Sequence, residues 1–269
     1  MEKSTRERPR LRIFNREYFV DIEKNCLEDV KNKRKKISFH DLDYTENSYI
    51  IRPVNFPGDI LWLSDFKRLE IPLKVHLDPE GMCRKYKLTR EQLNGKDDFE
   101  IIVDQQKYND RVNNGKLPVL DIVGDLFFVD VRLKEARLTT DPLTKIDLGP
   151  WLDEWLTMKY RLFYDKQQKQ AVLIDRSISE YPKNVVWVEI PPDERLDPVA
   201  VARDLNRDIK SYLLSHPFEQ ELKAKVVPLW RTELAAVVKS NKAALKKSSE
   251  EDLLKKNRGS GDKKKSHHL

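Results

Sequence analysis

Residues Pro118–Ile146 read PVLDIVGDLFFVDVRLKEARLTTDPLTKI, and this stretch decides the fold because the N-terminal residues echo it. A shift of 109 positions places Pro9, Leu11, Ile13, Phe19, Val20, Asp21, Lys36 and Ile37 on Pro118, Leu120, Ile122, Phe128, Val129, Asp130, Lys145 and Ile146 without a gap. Tyr18/Phe127 and Ile22/Val131 match in kind. Both stretches alternate apolar and polar residues, the period of a half-buried strand. Asn15-Arg16 and Gly124-Asp125 read as the turns that fold each into a hairpin.

A second match pairs Val75–Glu80 with Val188–Asp193, 113 positions apart, each read as a strand stopped by Pro and an acid before a helix. Two matches in the same order point to an α+β chain of two diverged repeats of about 110 residues, each a small, mostly antiparallel sheet plus a helix. The repeats span 1–103 and 118–214, joined by the polar stretch 104–117 as a linker. Within them, Leu73–Leu77 and Phe99–Val103 read as strands, and Leu88–Leu93 as a short helix. Lys166–Lys169 reads as a hairpin loop, and Trp151 and Trp155 share one face of a short helix.

After Asp197-Pro198, a sound helix start, Val201, Leu205, Ile209 and Leu213 recur every four residues. Beyond Pro217, Phe218, Leu222, Val226, Trp230, Leu234 and Val238 keep the same spacing, which predicts an amphipathic helix over 215–245 kinked at Pro228. Such a stripe must be covered, either by the body or by a partner protein, so these six residues form a candidate docking set. Residues 246–269 are low in complexity and rich in lysine, and are expected to be disordered.

The net charge of +6 resides in the C-terminus: 239–269 holds ten Lys/Arg against four Asp/Glu, and the remainder is neutral. The densest basic run elsewhere is Lys31, Lys33, Arg34, Lys35 and Lys36, whose counterpart 140–145 carries little charge. It reads either as a solvated loop or as a phosphate-contacting loop. With Lys246, Lys247, Lys255, Lys256, Arg258, Lys263, Lys264 and Lys265 it makes the candidate nucleic-acid-binding set.

No Gly-rich phosphate loop, zinc-type Cys/His spacing or nucleophile motif occurs. Cys26 and Cys83 read as free thiols, and no metal or cofactor is expected. Asp21 and Asp130, the acids shared by both copies, are the best catalytic guess, although each also suits a strand-ending turn. The charged N-terminus and the lack of a long apolar run lead to the expectation of a soluble, cytoplasmic protein without membrane contact, and set no oligomeric state. The functional expectation is a non-enzymatic scaffold or adaptor that binds another protein. The alternative is a nucleic-acid-binding protein.

Overall fold

The computed structural model describes residues 8–52, 54, 68–153 and 157–261, with side chains through Glu251. The chain is α+β, with helices and several antiparallel sheets, and it divides into two compact units. Unit 1 takes Met1–Leu117 and Asp193–Gln220, and unit 2 takes Pro118–Pro192 and Glu221–Leu269.

Unit 1 opens with a four-stranded meander, β1 (Arg10–Ile13), β2 (Arg16–Asp21), β3 (Cys26–Asp29) and β4 (Lys36–Ser38). A three-stranded sheet follows: β5 (Asp43–Tyr44), β6 (Ser48–Ile51) and β7 (Leu69–Pro72). Then come α1 (Lys74–Leu77), α2 (Pro79–Tyr86), α3 (Arg90–Leu93), α4 (Asp98–Ile102) and α5 (Gln105–Tyr108). Unit 2 begins with a second meander, β8 (Val119–Ile122), β9 (Asp125–Asp130), β10 (Glu135–Leu138) and β11 (Asp141–Asp147). It continues with β12 (Tyr160–Asp165), β13 (Gln170–Val172) and β14 (Val185–Ile190). The chain then re-enters unit 1 as α6 (Asp193–Leu196), α7 (Pro198–Asp204) and α8 (Ile209–Ser215). It ends in unit 2 with β15 (Leu222–Lys223), β16 (Lys225–Val227) and α9 (Leu234–Gly261). There β15 joins the meander parallel to β8, and β16 extends the sheet β13-β12-β14-β16.

At a shift of 109 the two meanders agree in register and, for their first three strands, in strand boundaries, while β11 begins four residues before the counterpart of β4. Arg10↔Phe19, Tyr18↔Asp29 and Leu27↔Ile37 correspond to Val119↔Phe128, Phe127↔Leu138 and Ala136↔Ile146. Local chemistry accounts for this. Asp21 accepts the Lys24 N–H at 2.9 Å, and Asp130 accepts those of Arg132 and Leu133 at 3.1 and 3.2 Å. Left-handed Asn25 and Lys134, both at φ 53, then start the next strand. Asp165 and Lys169 repeat this loop between β12 and β13, the hairpin read from the sequence. The tighter turns fall one residue earlier than expected, on Phe14-Asn15 and Val123-Gly124. Arg16 and Asp125 already pair with Ile13 and Ile122, and left-handed Phe14 (φ 54) and Val123 (φ 59) suit a two-residue hairpin.

The match between Val75–Glu80 and Val188–Asp193 is not a structural one. Lys74–Leu77 is a helical turn because Asp98 accepts the N–H groups of Lys74 and Val75, both at 2.9 Å, whereas Val188–Ile190 ends a strand. The helical counterpart lies 119 positions on. Asp78 and Asp197, alike in backbone (φ −146, ψ 74 and 80), cap α2 and α7 through the N–H groups of Gly81 and Ala200. Both helical sets belong to unit 1, so the compact units do not follow two successive repeats of about 110 residues.

Phe99–Val103, read as a strand, is mostly α4, because Asp97 and Glu100 form a capping box. The expected linker carries α5 and a π-helical turn, Asn109–Asn113. Arg111 there binds Asp197 at 2.8 Å, a pair almost fully buried.

The helix expected over 215–245 is absent before residue 234. Phe218 lies in coil and packs on the unit 1 core, Leu222 and Val226 lie in β15 and β16, and Trp230 lies in a 3-10 turn. A spacing of four is even, so it suits strand alternation as well as a helix face, and Pro228, which lacks an N–H and disfavours a helix interior, follows β16 directly. Only Leu234 and Val238 lie on α9, buried with Phe163 and Val185. Of the stretch 246–269 expected to be disordered, residues 246–261 continue α9, consistent with their many helix-forming Lys, Leu and Glu residues, and 262–269 lie outside the described residues. Lys263, Lys264 and Lys265 lie outside the described residues, as does Trp155, while Trp151 ends a 3-10 turn.

Candidate phosphate-binding cleft

The loop between β3 and β4 is shaped by side-chain hydrogen bonds together with two backbone ones. Pairing stops at Glu28↔Lys36. Beyond it, the Asp29 carboxylate accepts the N–H groups of Lys31 and Asn32 at 2.8 and 2.9 Å. The Lys35 N–H donates to the Asn32 carbonyl at 2.8 Å, and the Asp29 N–H donates to the Lys35 carbonyl at 3.0 Å. The Asn32 side chain accepts the Arg34 N–H at 3.1 Å. The Val30 N–H ties the loop to the Glu17 carbonyl at 2.9 Å.

This loop and the turn end of the β1–β2 hairpin border a cleft of about 530 Å³. Arg12, Arg16, Lys31 and Lys35 line it, with Asn15, Asn32, Val30, Glu17 and Asp29. Glu17 is drawn toward Arg10, 3.6 Å away. Arg16 stands beside the Tyr18 hydroxyl, which burial pushes up and Arg16 pulls down. Among the described residues, no carboxylate pairs with Lys31, Lys33, Arg34 or Lys35. Of the basic run read from the sequence, Lys31 and Lys35 reach the cleft, Lys33 and Arg34 are exposed outside its lining, and Lys36 pairs with Glu28 at 3.7 Å. Arg12 and Arg16 were not anticipated, since they lie far from the run in sequence.

The second meander provides an internal comparison. At the shift of 109, Arg12, Arg16, Lys31 and Lys35 become Asp121, Asp125, Thr140 and Thr144, and Asp29 becomes Leu138. There β10 and β11 pair again at Leu138↔Asp141, past a register break that leaves Pro142, Leu143 and Thr144 unpaired, and Asp141 holds that segment through the Leu143 N–H and the Thr144 hydroxyl. Asp121 accepts the Gly124 N–H at 2.6 Å, and Asp125 accepts the Tyr164 hydroxyl at 2.7 Å and meets Lys169 at 3.0 Å.

The remaining candidates are placed as follows. Lys246 and Lys247 are exposed on α9, and Lys255, Lys256 and Arg258 fall within its span. Asp21 and Asp130 belong to different units and each closes its own turn. Burial pushes the Asp21 carboxyl up, but hydrogen bonds from Lys24 and the Arg8 guanidinium at 3.3 Å hold it below the usual carboxylate range. Cys26 and Cys83 are free thiols, and burial pushes Cys26 up.

One buried cation escaped the sequence reading. Lys74 is 2 % exposed, with its ammonium 3.0 Å from the Asn25 side-chain oxygen and within 5.5 Å of the Phe39 and Tyr49 ring centres. Burial, opposed by Asp98, pushes it down to about 8.

Among the described residues, no group of His, Cys, Asp and Glu could hold a metal ion, and no helix is long and apolar enough to cross a membrane. Compared with protein-family models, curated proteins and solved structures, the chain has no match.

Proposed function

We propose that this protein binds nucleic acid through the phosphodiester backbone, with the unit 1 cleft as the phosphate site. The observation that carries the reading is the convergence of Arg12, Arg16, Lys31 and Lys35 on one cleft, at positions where a meander of the same register carries acids and threonines. Cationic side chains and asparagine amides are donors suited to phosphate oxygens. No aromatic side chain lines the cleft, so base stacking contributes nothing there and binding is independent of sequence. The lysines of α9 add long-range attraction.

The test is binding of a mixed-sequence DNA duplex and an RNA duplex across a salt series. Substituting Arg12→Gln, Arg16→Gln, Lys31→Thr and Lys35→Thr together is expected to weaken binding and to lower the slope of log affinity against log salt by about 3–4, since each lost phosphate contact removes about 0.9. A control with Lys239, Lys242, Lys246 and Lys247 changed to Gln carries the same change in net charge. Equal losses in both variants would remove the cleft from the reading.

The scaffold reading, with another protein as partner, draws support from the outer face of the second meander. Val119, Leu126 and Phe128 are 40 %, 47 % and 40 % exposed there, whereas the matching Phe19 has Arg8 and Arg10 over its ring at 4.4 and 5.2 Å. Duplication of one ancestral unit is likewise a proposal. The matched registers and the two Asp-Pro-capped helices support it.

A further inference from the structure

We infer that Asp29 is the positioning residue that makes the cleft competent for phosphate, acting by fixing the shape of the 30–35 loop; the inference rests on the cleft being the phosphate site. An acid in a cationic lining would ordinarily oppose an anion. Asp29 is only 6 % exposed, and one oxygen is committed to two backbone N–H groups. Those bonds turn the chain away from β3, and the Asp29 N–H meets the Lys35 carbonyl from across the loop. Lys31 and Lys35 are thereby set at two ends of one closed turn, both facing the side that Arg12 and Arg16 line.

The second meander shows what the same frame does without this residue. With Leu138 at the matching position, pairing resumes at Leu138↔Asp141 after a register break that leaves 142–144 unpaired, and a two-residue turn, Thr139-Thr140, replaces the longer loop of the first meander. Asp29 thus separates a loop of six residues anchored on its own side chain from the two-residue turn formed where Leu138 stands.

Charge and position predict opposite outcomes, which makes the inference testable. Asp29→Asn and Asp29→Leu both raise the net charge by one. Asn keeps an oxygen that accepts the Lys31 and Asn32 N–H groups, whereas Leu has none. With a short mixed-sequence DNA duplex as probe, Asp29→Asn is expected to bind as tightly as wild type or several-fold tighter, with an unchanged salt slope. Asp29→Leu is expected to bind at least about tenfold more weakly with a smaller salt slope, because fewer phosphates are engaged. Amide exchange at Lys31 and Asn32 should quicken in Asp29→Leu alone, while β2 amides stay protected and report an intact meander.

Equal binding by the two variants, or a loss in both, would overturn the role of Asp29. Failure of the phosphate reading itself looks different: the four-residue cleft variant would then bind as wild type does, whatever happens at Asp29.

Discussion

Single residues carry opposite electrostatic duties in unit 1. Asp98 receives two helix N–H groups and the Tyr49 hydroxyl at 2.6 Å, so its burial is matched by donors. Lys74 has an amide oxygen and two aromatic rings, which compensate an ammonium less fully. Its folded-state value of about 8 lies below the ordinary 10.5, so between those pH values the unfolded chain binds more protons and stability rises with pH. Below about pH 8 the whole cost is present. Lys74→Met is therefore expected to stabilise the protein at pH 7 by about 1–3 kcal/mol, the upper figure from the size of the shift and the lower allowing for an orphaned Asn25 oxygen. Urea denaturation at pH 7 and at pH 9.5 measures this, and the gain should shrink at the higher pH. A gain equal at both would mean that Lys74 is not the titrating group.

At the scale of elements, short turns set the meanders and carry strain. Val123 holds φ 59 at the first position of a two-residue turn, where a β-branched side chain is unfavourable and Asn is preferred. Val123→Asn is expected to add about 1 kcal/mol to the stability of unit 2, read from the shift of its urea midpoint by tryptophan fluorescence. An unchanged midpoint would show that the turn is not strained. Leu73–Leu77 shows the converse, since its alternating apolar residues suit a strand until Asp98, distant in sequence, caps it as a helix. The same holds for the stripe of six apolar residues after Pro217, which divides among coil, two strands, a 3-10 turn and α9.

For the whole molecule, the decisive feature is that chain order and compact units differ. Val199, Leu213 and Leu214 complete a unit 1 core that includes Tyr18, Leu27, Tyr49 and Met82, although unit 2 residues separate the two segments. A fragment 1–192 therefore lacks part of that core and is expected to lose slow amide exchange in β2 and α2, whereas 1–220 keeps it. Equal protection in both fragments would show that α6–α8 are dispensable to unit 1. The charge pattern belongs to this scale too. The body without 239–269 is neutral, so any phosphate binding by unit 1 depends on where its cations converge rather than on net charge.

The sequence by itself determined the features that depend on neighbours in the chain. Asp ends strands β2, β9 and β12, with a left-handed residue four positions later, and Asp-Pro starts α2 and α7. These interactions close within a few residues, so they are legible without a fold, and with them the matched meanders. The capping box at Asp97 and Glu100 was equally legible and was missed in favour of an apolar run. Tertiary structure alone decided the rest. The sequence showed the basic run but not its cleft, because strand pairing brings Arg12 and Arg16 to Lys31 and Lys35, and Lys36 is drawn off to Glu28. It could not show that α1 is capped from residue 98, that Lys74 is buried, or that α6–α8 complete the first unit. Each of these rests on contacts between distant segments, which residue spacing does not encode.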